Sequence, residues 1–491
     1  MSSRLYTAKQ VRELDRHAIE DLGIAGFDLM RRAASAAWRV LRARWPHMAR
    51  LAVLCGGGNN GGDGYLLACL AREAGLPTVV LALAEPVTAD AKRARDAWRD
   101  AGGEIVPLEH GLPAADVYAD AIFGTGLTRP LEGAVAQTIR HLNATGRPVL
   151  ALDVPSGIDA DTGSVLGVAV RADATVTFVA PKRGLFTAEA PDHCGVLVLD
   201  RLGLPDALYA DASFDARRLD MRRMAHWLPP RARAAHKGDF GHVLAIGGAA
   251  GMGGAIRLCA EAALRVGAGL VSAATRQENI AAINAARPEV MAHAATDATA
   301  LTPLFARANV IALGPGLGQS DWSRTLWRAA LDSHKPAVVD ADALNLLAAQ
   351  TVALPPGSVI TPHPGEASRL LGWSSERIAS DRFAAVRELA ARHRCVAVLK
   401  GAGTLIAHEH GDVAVCPWGN PGMASGGMGD VLTGVIAGLM AQGLNAWRAA
   451  RLGVALHAQA GDAAARDGQA GTLASDLFVH LRQQRNGLAD D

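Results

Sequence analysis

Along its whole length the chain repeats one pattern: a short unbroken apolar run, a turn rich in small residues, then a longer stretch whose apolar positions recur at helical spacing. The runs Leu51–Cys55, Thr78–Leu83, Val117–Ile122, Val149–Leu152 and Ala174–Val179 read as strands buried on both faces. A second series comprises Val243–Ile246, Leu270–Ala274, Val310–Leu313, Ala337–Val339, Ser358–Ile360 and Val396–Leu399. Buried strands alternating with helices predict parallel sheets covered by helices, an α/β fold. A charged, proline-containing segment around Arg217 to His236 separates the series, and the boundary is expected between Phe214 and Leu228. No repeat relates the halves and no low-complexity linker joins them, so two different α/β domains on a short connection are expected.

Composition narrows the class. The chain has 491 residues, half of them hydrophobic, enough for two large cores. Its formal charge is +1 with both signs mixed throughout, which argues against nucleic acid or a membrane surface as partner. The six cysteines, Cys55, Cys69, Cys194, Cys259, Cys395 and Cys416, include no C-x-x-C pair and favour buried free thiols in a reducing compartment. Met1 to Ile19 lacks an apolar signal core, and no stretch of about 20 apolar residues is free of charges or turn residues. The expectation is a soluble, cytoplasmic protein.

The most informative segment is Gly56-Gly57-Gly58-Asn59-Asn60-Gly61-Gly62-Asp63-Gly64, between a strand and a helical pattern from Tyr65. Glycines there are expected to turn backbone N–H groups inward at positive φ, toward a phosphate at a helix N-terminus. Gly56-x-Gly58-x-x-Gly61 matches the dinucleotide fingerprint, with Glu85 placed as a ribose-binding acid. Asn59, Asn60 and Asp63 exceed that fingerprint and offer amide and carboxylate oxygens to a cation or a polar substrate. Asp120 ends a strand before the turn Gly124-Thr125-Gly126-Leu127-Thr128-Arg129-Pro130, and Asp153-Val154-Pro155-Ser156-Gly157 follows another strand. Asn60, Asp120, Asp153 and Ser156 could converge on one point, as oxygen ligands of a hard cation, while Asp153 could instead move a proton.

These three motifs together resemble the NAD(P)H-hydrate epimerase domain, also called the YjeF N-terminal domain, over about residues 1–215. The opening helix, with Asp15, Ala18, Ile19, Leu29 and Met30, resembles it too, although Arg31 and Ala34 stand where Glu and Gly are frequent. The resemblance implies a Rossmann-like three-layer fold that interconverts the R and S epimers of hydrated NADH or NADPH. It also implies that Asn59, Asn60, Gly61, Gly62, Asp63, Gly124 to Pro130 and Asp153 bind the hydrate, with Asp153 catalytic. By the same resemblance Asn60, Asp120 and Ser156 hold a potassium ion. Lys182 is either a further contact or a solvated lysine at a strand end.

In the second half, Gly419-Asn420-Pro421-Gly422-Met423-Ala424-Ser425-Gly426-Gly427-Met428-Gly429-Asp430 runs straight into a helical pattern from Val431. Glycines at that helix start can aim N–H groups at a phosphate, with Asp430 placed as a base or as an ordinary cap. Strand ends carry Lys400-Gly401-Ala402-Gly403-Thr404, Thr361-Pro362-His363-Pro364-Gly365-Glu366, Gly314-Pro315-Gly316-Leu317-Gly318 and Asp340-Ala341-Asp342. Gly253-Gly254-Ala255 opens the first helix, and no G-x-x-x-x-G-K-[ST] motif occurs. The set resembles the ribokinase-like superfamily and, within it, the ADP-dependent NAD(P)H-hydrate dehydratases, over about residues 222–488. Sugar kinases of that superfamily read Gly-Ala-Gly-Asp where this chain has Gly-Met-Gly-Asp. The resemblance implies that Lys400, Gly401, Ala402, Gly403, Thr404 and Gly429 bind ADP. Asp430 is then the base, Ala255, Gly316 and His363 contact the hydrate, and Mg2+ is a candidate companion of the nucleotide.

The favoured reading is a bifunctional, homo-oligomeric repair enzyme acting on hydrated NADH and NADPH (NADHX and NADPHX). A kinase for a small hydroxylated metabolite is the runner-up. A non-catalytic binding module and a plain NAD dehydrogenase are further alternatives.

Overall fold

The computed structural model describes residues 3–107, 110–350 and 352–487, so the expected domain limits at Met1 and Leu488 lie outside the described residues. The chain divides into two compact units, Met1–Arg217 and Arg218–Asp491. Each is a mixed α/β body built on a largely parallel sheet.

In the first unit seven strands lie in the order Ile105–Pro107, Thr78–Ala82, Leu51–Cys55, Val117–Ala121, Val149–Leu152, Ala174–Phe178, Val196–Asp200, all parallel. Alternation along one strand splits the core between two faces. Leu51, Val53 and Cys55 join one apolar cluster, while Ala52 and Leu54 join the other. The chain runs outward from Leu51–Cys55 to one edge and returns beside it at Val117–Ala121. The crevice at the carboxyl ends of those two strands is therefore the point where the order reverses, the place where open α/β sheets bind ligands.

The second unit repeats the principle with other lengths. Its sheet runs Val413–Val415, Leu405–Ala407, Val396–Leu399, Val359–Ile360, Ala337–Val339, Val310–Leu313, His242–Ile246, Leu270–Thr275, Met291–Ala294, and reverses between His242–Ile246 and Val310–Leu313. Leu405–Ala407 runs antiparallel to both Val396–Leu399 and Val413–Val415, a departure from the all-parallel expectation. The short or half-buried strands Ile105–Pro107, Val196–Asp200, Met291–Ala294, Leu405–Ala407 and Val413–Val415 were not foreseen from the apolar runs. Ile105–Pro107, Leu405–Ala407 and Val413–Val415 have three residues each, too few to carry a period that separates them from a loop, whereas the longer Val196–Asp200 and Met291–Ala294 were overlooked.

The glycine-rich segment of the first unit also differs from expectation. The helix begins at Asn59, six residues before Tyr65, and spans Asn59–Glu73. None of Gly56, Gly57, Gly58, Gly61, Gly62 or Gly64 has positive φ. All of them but Gly58 serve close packing instead: a Cβ on Gly61 would stand 2.0 Å from the Gly56 carbonyl oxygen, and one on Gly64 2.5 Å from the Ala121 Cβ. Among the described residues no helix is long and apolar enough to cross a membrane. All six cysteines are free and buried, as expected.

Candidate functional sites

At the reversal point of the first sheet two chain segments nearly touch, since a Cβ on Gly56 would lie 2.0 Å from the Ile122 carbonyl oxygen. Beside this crossing opens a cavity of about 500 Å³. Its lining includes Asn59, Asn60 and Asp63 from the helix start, Gly124, Thr125, Gly126 and Leu127 from the next turn, then Asp153 and Lys182. Thr128, Arg129 and Pro130 are exposed and outside that lining, and Gly61 and Gly62 are buried in helix packing. Glu85 does not reach the cavity; its exposed carboxylate pairs with Arg95 at 2.8 Å, so the ribose-binding expectation fails.

Asp153 is held in a left-handed backbone conformation, φ 65°, which costs a non-glycine residue energy and often marks a functional position. Its Oδ1 accepts from the Phe178 N–H at 3.1 Å and pairs with the Lys182 ammonium. Lys182 is 1% exposed and also donates to Thr177 Oγ1 at 3.0 Å and to the Phe178 carbonyl at 2.9 Å. The alternative of a solvated lysine is thereby excluded. Two further carboxyls share the cavity. Burial pushes Asp63 well above the usual carboxylate range, and the charges of Asp153 and Asp15 add to that. Burial likewise pushes Asp15 up to about 6, against the opposing pull of Lys182. Asp15 had no assigned role in the sequence reading. The signal was nonetheless present, because Val11, Leu14, Asp15 and Ala18 form one helical stripe and only one of them is acidic.

Beneath the cavity Asp120, fully buried, accepts from the Ser156 N–H at 2.7 Å, the Ser156 hydroxyl at 2.6 Å and the Ile122 N–H at 3.2 Å. Burial raises its pKa to about 6, with the Ser156 contacts opposing. In the cavity lining itself, both polar atoms of the buried Asn60 amide lack a hydrogen-bond partner. An orphaned amide oxygen and a buried carboxylate without a cationic partner among the described residues are a donor set that suits a weakly hydrated monovalent cation.

In the second unit the polar centre lies at the strand ends beside the helix Met428–Ala441. Gly427 adopts φ 90° at its N-cap, a left-handed turn open to glycine at no cost. Asp340 is 1% exposed, and its Oδ1 accepts from Lys400 Nζ at 2.7 Å while Oδ2 accepts from Thr433 Oγ1 at 2.9 Å. Lys400 also faces Glu366 at 3.8 Å. A Cβ on Gly429 would stand 3.2 Å from both Asp340 Oδ2 and Lys400 Nζ, so the helix start abuts this ion pair directly. Asp430, one residue on, is pushed up to about 7 by burial first and then by the charge of Asp340, with Lys400 opposing. Ala255 and Gly316 are brought together, because a Cβ on Gly316 would be 3.1 Å from the Ala255 Cβ.

His363 caps its own helix: Nδ1 accepts from the Gly365 N–H at 3.0 Å, and Glu366 accepts from the His363 N–H at 2.8 Å. In the Lys400–Thr404 turn the Thr404 hydroxyl closes on the Gly401 carbonyl at 2.9 Å, and Gly401 and Gly403 take φ 132° and 58°. Sequence reasoning missed Asp340, Glu366 and Thr433 as members of one network with Lys400.

Residues 26–184 match the family described as YjeF-related protein N-terminus, and residues 243–483 match the family described as NAD(P)H-hydrate dehydratase. The bifunctional NAD(P)H-hydrate repair enzyme Nnr of Coxiella burnetii is 48% identical, the alignment covering 97% of this chain and 98% of that protein. The enzyme of the same name from Escherichia coli is 44% identical, over 98% of this chain and 93% of its own. Among solved structures, an ADP/ATP-dependent NAD(P)H-hydrate dehydratase from Bacillus subtilis, co-crystallised with ATP/Mg2+, superposes with a TM-score of 0.51 at 28% identity. It covers 56% of this chain and 100% of its own. With both halves matched and near-complete alignment to such relatives, the chain belongs to the bifunctional NAD(P)H-hydrate repair enzymes, an epimerase domain followed by a dehydratase domain.

Proposed function

We propose that the first domain equilibrates the R and S forms of NADHX and NADPHX, and that the second converts the S form to NAD(P)H while ADP becomes AMP and phosphate. The observation that carries the dehydratase reading is Asp430, a carboxyl with a pKa of about 7 at a helix start beside the Lys400–Asp340 pair. A base poised near neutrality can take a hydroxyl proton and still be ionised beforehand. The hydrate's C6 hydroxyl gives its proton to Asp430 as its oxygen bonds the β-phosphorus of ADP and the bond to the AMP oxygen breaks. The ring nitrogen's lone pair then expels phosphate from C6, and loss of a C5 proton restores the double bond. One hydrate and one ADP thus yield NAD(P)H, AMP, phosphate and a proton. Lys400 to Thr404 and Gly429 hold the nucleotide, and Ala255, Gly316 and His363 border the hydrate. Mg2+ would accompany the nucleotide and neutralise phosphate charge when bound.

The epimerase reading rests on the buried Asp153–Lys182 pair. Asp63, kept protonated by burial, protonates the departing C6 hydroxyl so that water leaves, and the Asp153 carboxylate, held in place by Lys182, stabilises the cationic ring. Water returning on the other face gives its proton back to Asp63. Asn60, Asp120 and Ser156 would hold K+, which supplies fixed positive charge under the cavity when bound.

Recovery of reduced-nicotinamide absorbance from a prepared R and S mixture tests both readings. Wild type is expected to restore the whole mixture with ADP, Asp430→Ala nothing, and Asp153→Ala only the S fraction plus slow spontaneous epimerisation. Recovery with ATP but not ADP would replace the nucleotide assignment, and no recovery with either would sink the repair chemistry. Separately, KCl in place of LiCl at equal ionic strength should raise the melting temperature of wild type but not of Asn60→Ala.

A further inference from the structure

Away from its strand-end site, the second unit carries a groove of about 650 Å³ in which five arginines, Arg231, Arg265, Arg287, Arg482 and Arg485, face two acids, Glu261 and Glu289. Glu261 is already saturated. It pairs with Arg257 at 3.1 Å, with Arg265 at 3.1 Å and with Arg287. Among the described residues no carboxylate pairs with Arg231, Arg482 or Arg485. Arg231 instead lies over the Phe240 ring at 3.6 Å and donates to the Gly267 carbonyl. The Nε groups of Arg287 and Arg485 are buried without a hydrogen-bond partner. Burial lowers the pKa of Arg231, and burial together with the Arg231 charge lowers that of Arg485.

Such an excess is unexpected in a chain whose formal charge is only +1. Helix ends account for part of it, since Arg265 and Arg485 sit in last turns and Arg287 at a C-cap, where cations are favoured. That explains neither the orphaned Nε donors nor the addition of Arg231 and Arg482. Part of the groove wall is apolar, formed by Leu228, Pro229, Pro230, Leu264 and Val266. Planar guanidinium forks match phosphate oxygens two at a time.

We infer that this groove is a second anion site, for a nucleotide carrying a di- or polyphosphate, whose phosphates meet the arginines and whose base lies on the apolar wall. It is separate from the dehydratase centre. The helix Gly253–Arg265 starts beside Gly316 and ends at the groove, and its 13 residues put the two ends about 18 Å apart at about 1.5 Å per residue.

Titration calorimetry on the full chain with inorganic pyrophosphate, then with ADP, tests this on wild type and on Arg482→Gln/Arg485→Gln. Arg482→Gln alone serves as the milder, exposed change. Wild type should take up one equivalent more of each ligand than the double variant, or bind that equivalent at least tenfold more tightly. Dehydratase turnover at saturating ADP should stay within about twofold, which shows that the variant is folded. Identical titrations would overturn the proposal. So would pyrophosphate uptake that ADP cannot displace, which leaves no role for the apolar wall. A variant that changes elution volume but not anion uptake would make the groove an interface between copies of this chain, again against an anion site.

Discussion

At the scale of single residues the two domains use opposite electrostatic devices. Asp153 is a charge partnered by a buried lysine, whereas Asp430 is a carboxyl crowded by burial and by Asp340. A folded-state pKa near 7, against an ordinary 3.8, means that the folded chain binds more protons than the unfolded one between those values. Stability from this group therefore falls as pH rises from about 4 to about 7, while the ionised base that catalysis needs grows over the upper part of that window. Dehydratase kcat/KM should rise tenfold per pH unit below about 7 and level off above it. Asp430→Asn should abolish turnover yet raise the melting temperature at pH 8 but not at pH 4, by about 2 to 4 °C for each kcal/mol relieved. A pH-independent rate, or a variant less stable at pH 8, would contradict the assignment. Asp120 is expected to behave differently, because a cation bound beside Asn60 would draw its pKa back down.

At the scale of elements, glycine decides whether the sites can form. Both sheets reverse order where a glycine backbone crosses its neighbour: Gly56 at the Ile122 carbonyl, and Gly247 at the Pro315 carbonyl, where a Cβ would stand 2.1 Å away. The helices above follow the same logic. Gly61 and Gly64 seat Asn59–Glu73 on its sheet, and Gly434 lets Met428–Ala441 meet Gly253–Arg265, since a Cβ there would be 2.0 Å from the Cys259 carbonyl oxygen. Overpacking of this kind typically costs about 1–3 kcal/mol. Gly64→Ala should destabilise by that amount and depress epimerase activity. Gly434→Ala should do the same to the dehydratase, as chemical denaturation and the separate assays would read out. Gly75→Ala, where no atom lies within 4 Å but φ is 78°, isolates backbone strain from crowding.

At the scale of the molecule each unit has its own hydrophobic core. A ligand that binds only the folded form stabilises the unit that holds it by mass action. Calorimetric melting of the full chain should thus resolve two transitions, one raised by K+ and the other by ADP. A single transition moved equally by both would contradict this. Much of this architecture is legible in the residues themselves. Uninterrupted apolar runs mark doubly buried strands, and the longest runs agree with the structure to within a residue. The Asp-Val-Pro-Ser-Gly string and the Gly426-Gly427 pair mark their own turns, because backbone freedom and turn chemistry are local properties. The role of the first glycine string was not legible, since positive φ and tight packing ask for the same residue. Which side chains meet was decided only by the fold. Asp153 and Lys182 lie 29 residues apart and Asp340 and Lys400 lie 60 apart. They meet because strand order, which no local period encodes, brings strand ends together in a crevice within each unit. Burial in those two crevices moves Asp15 and Asp63 in the first unit and Asp430 in the second away from ordinary carboxylate behaviour.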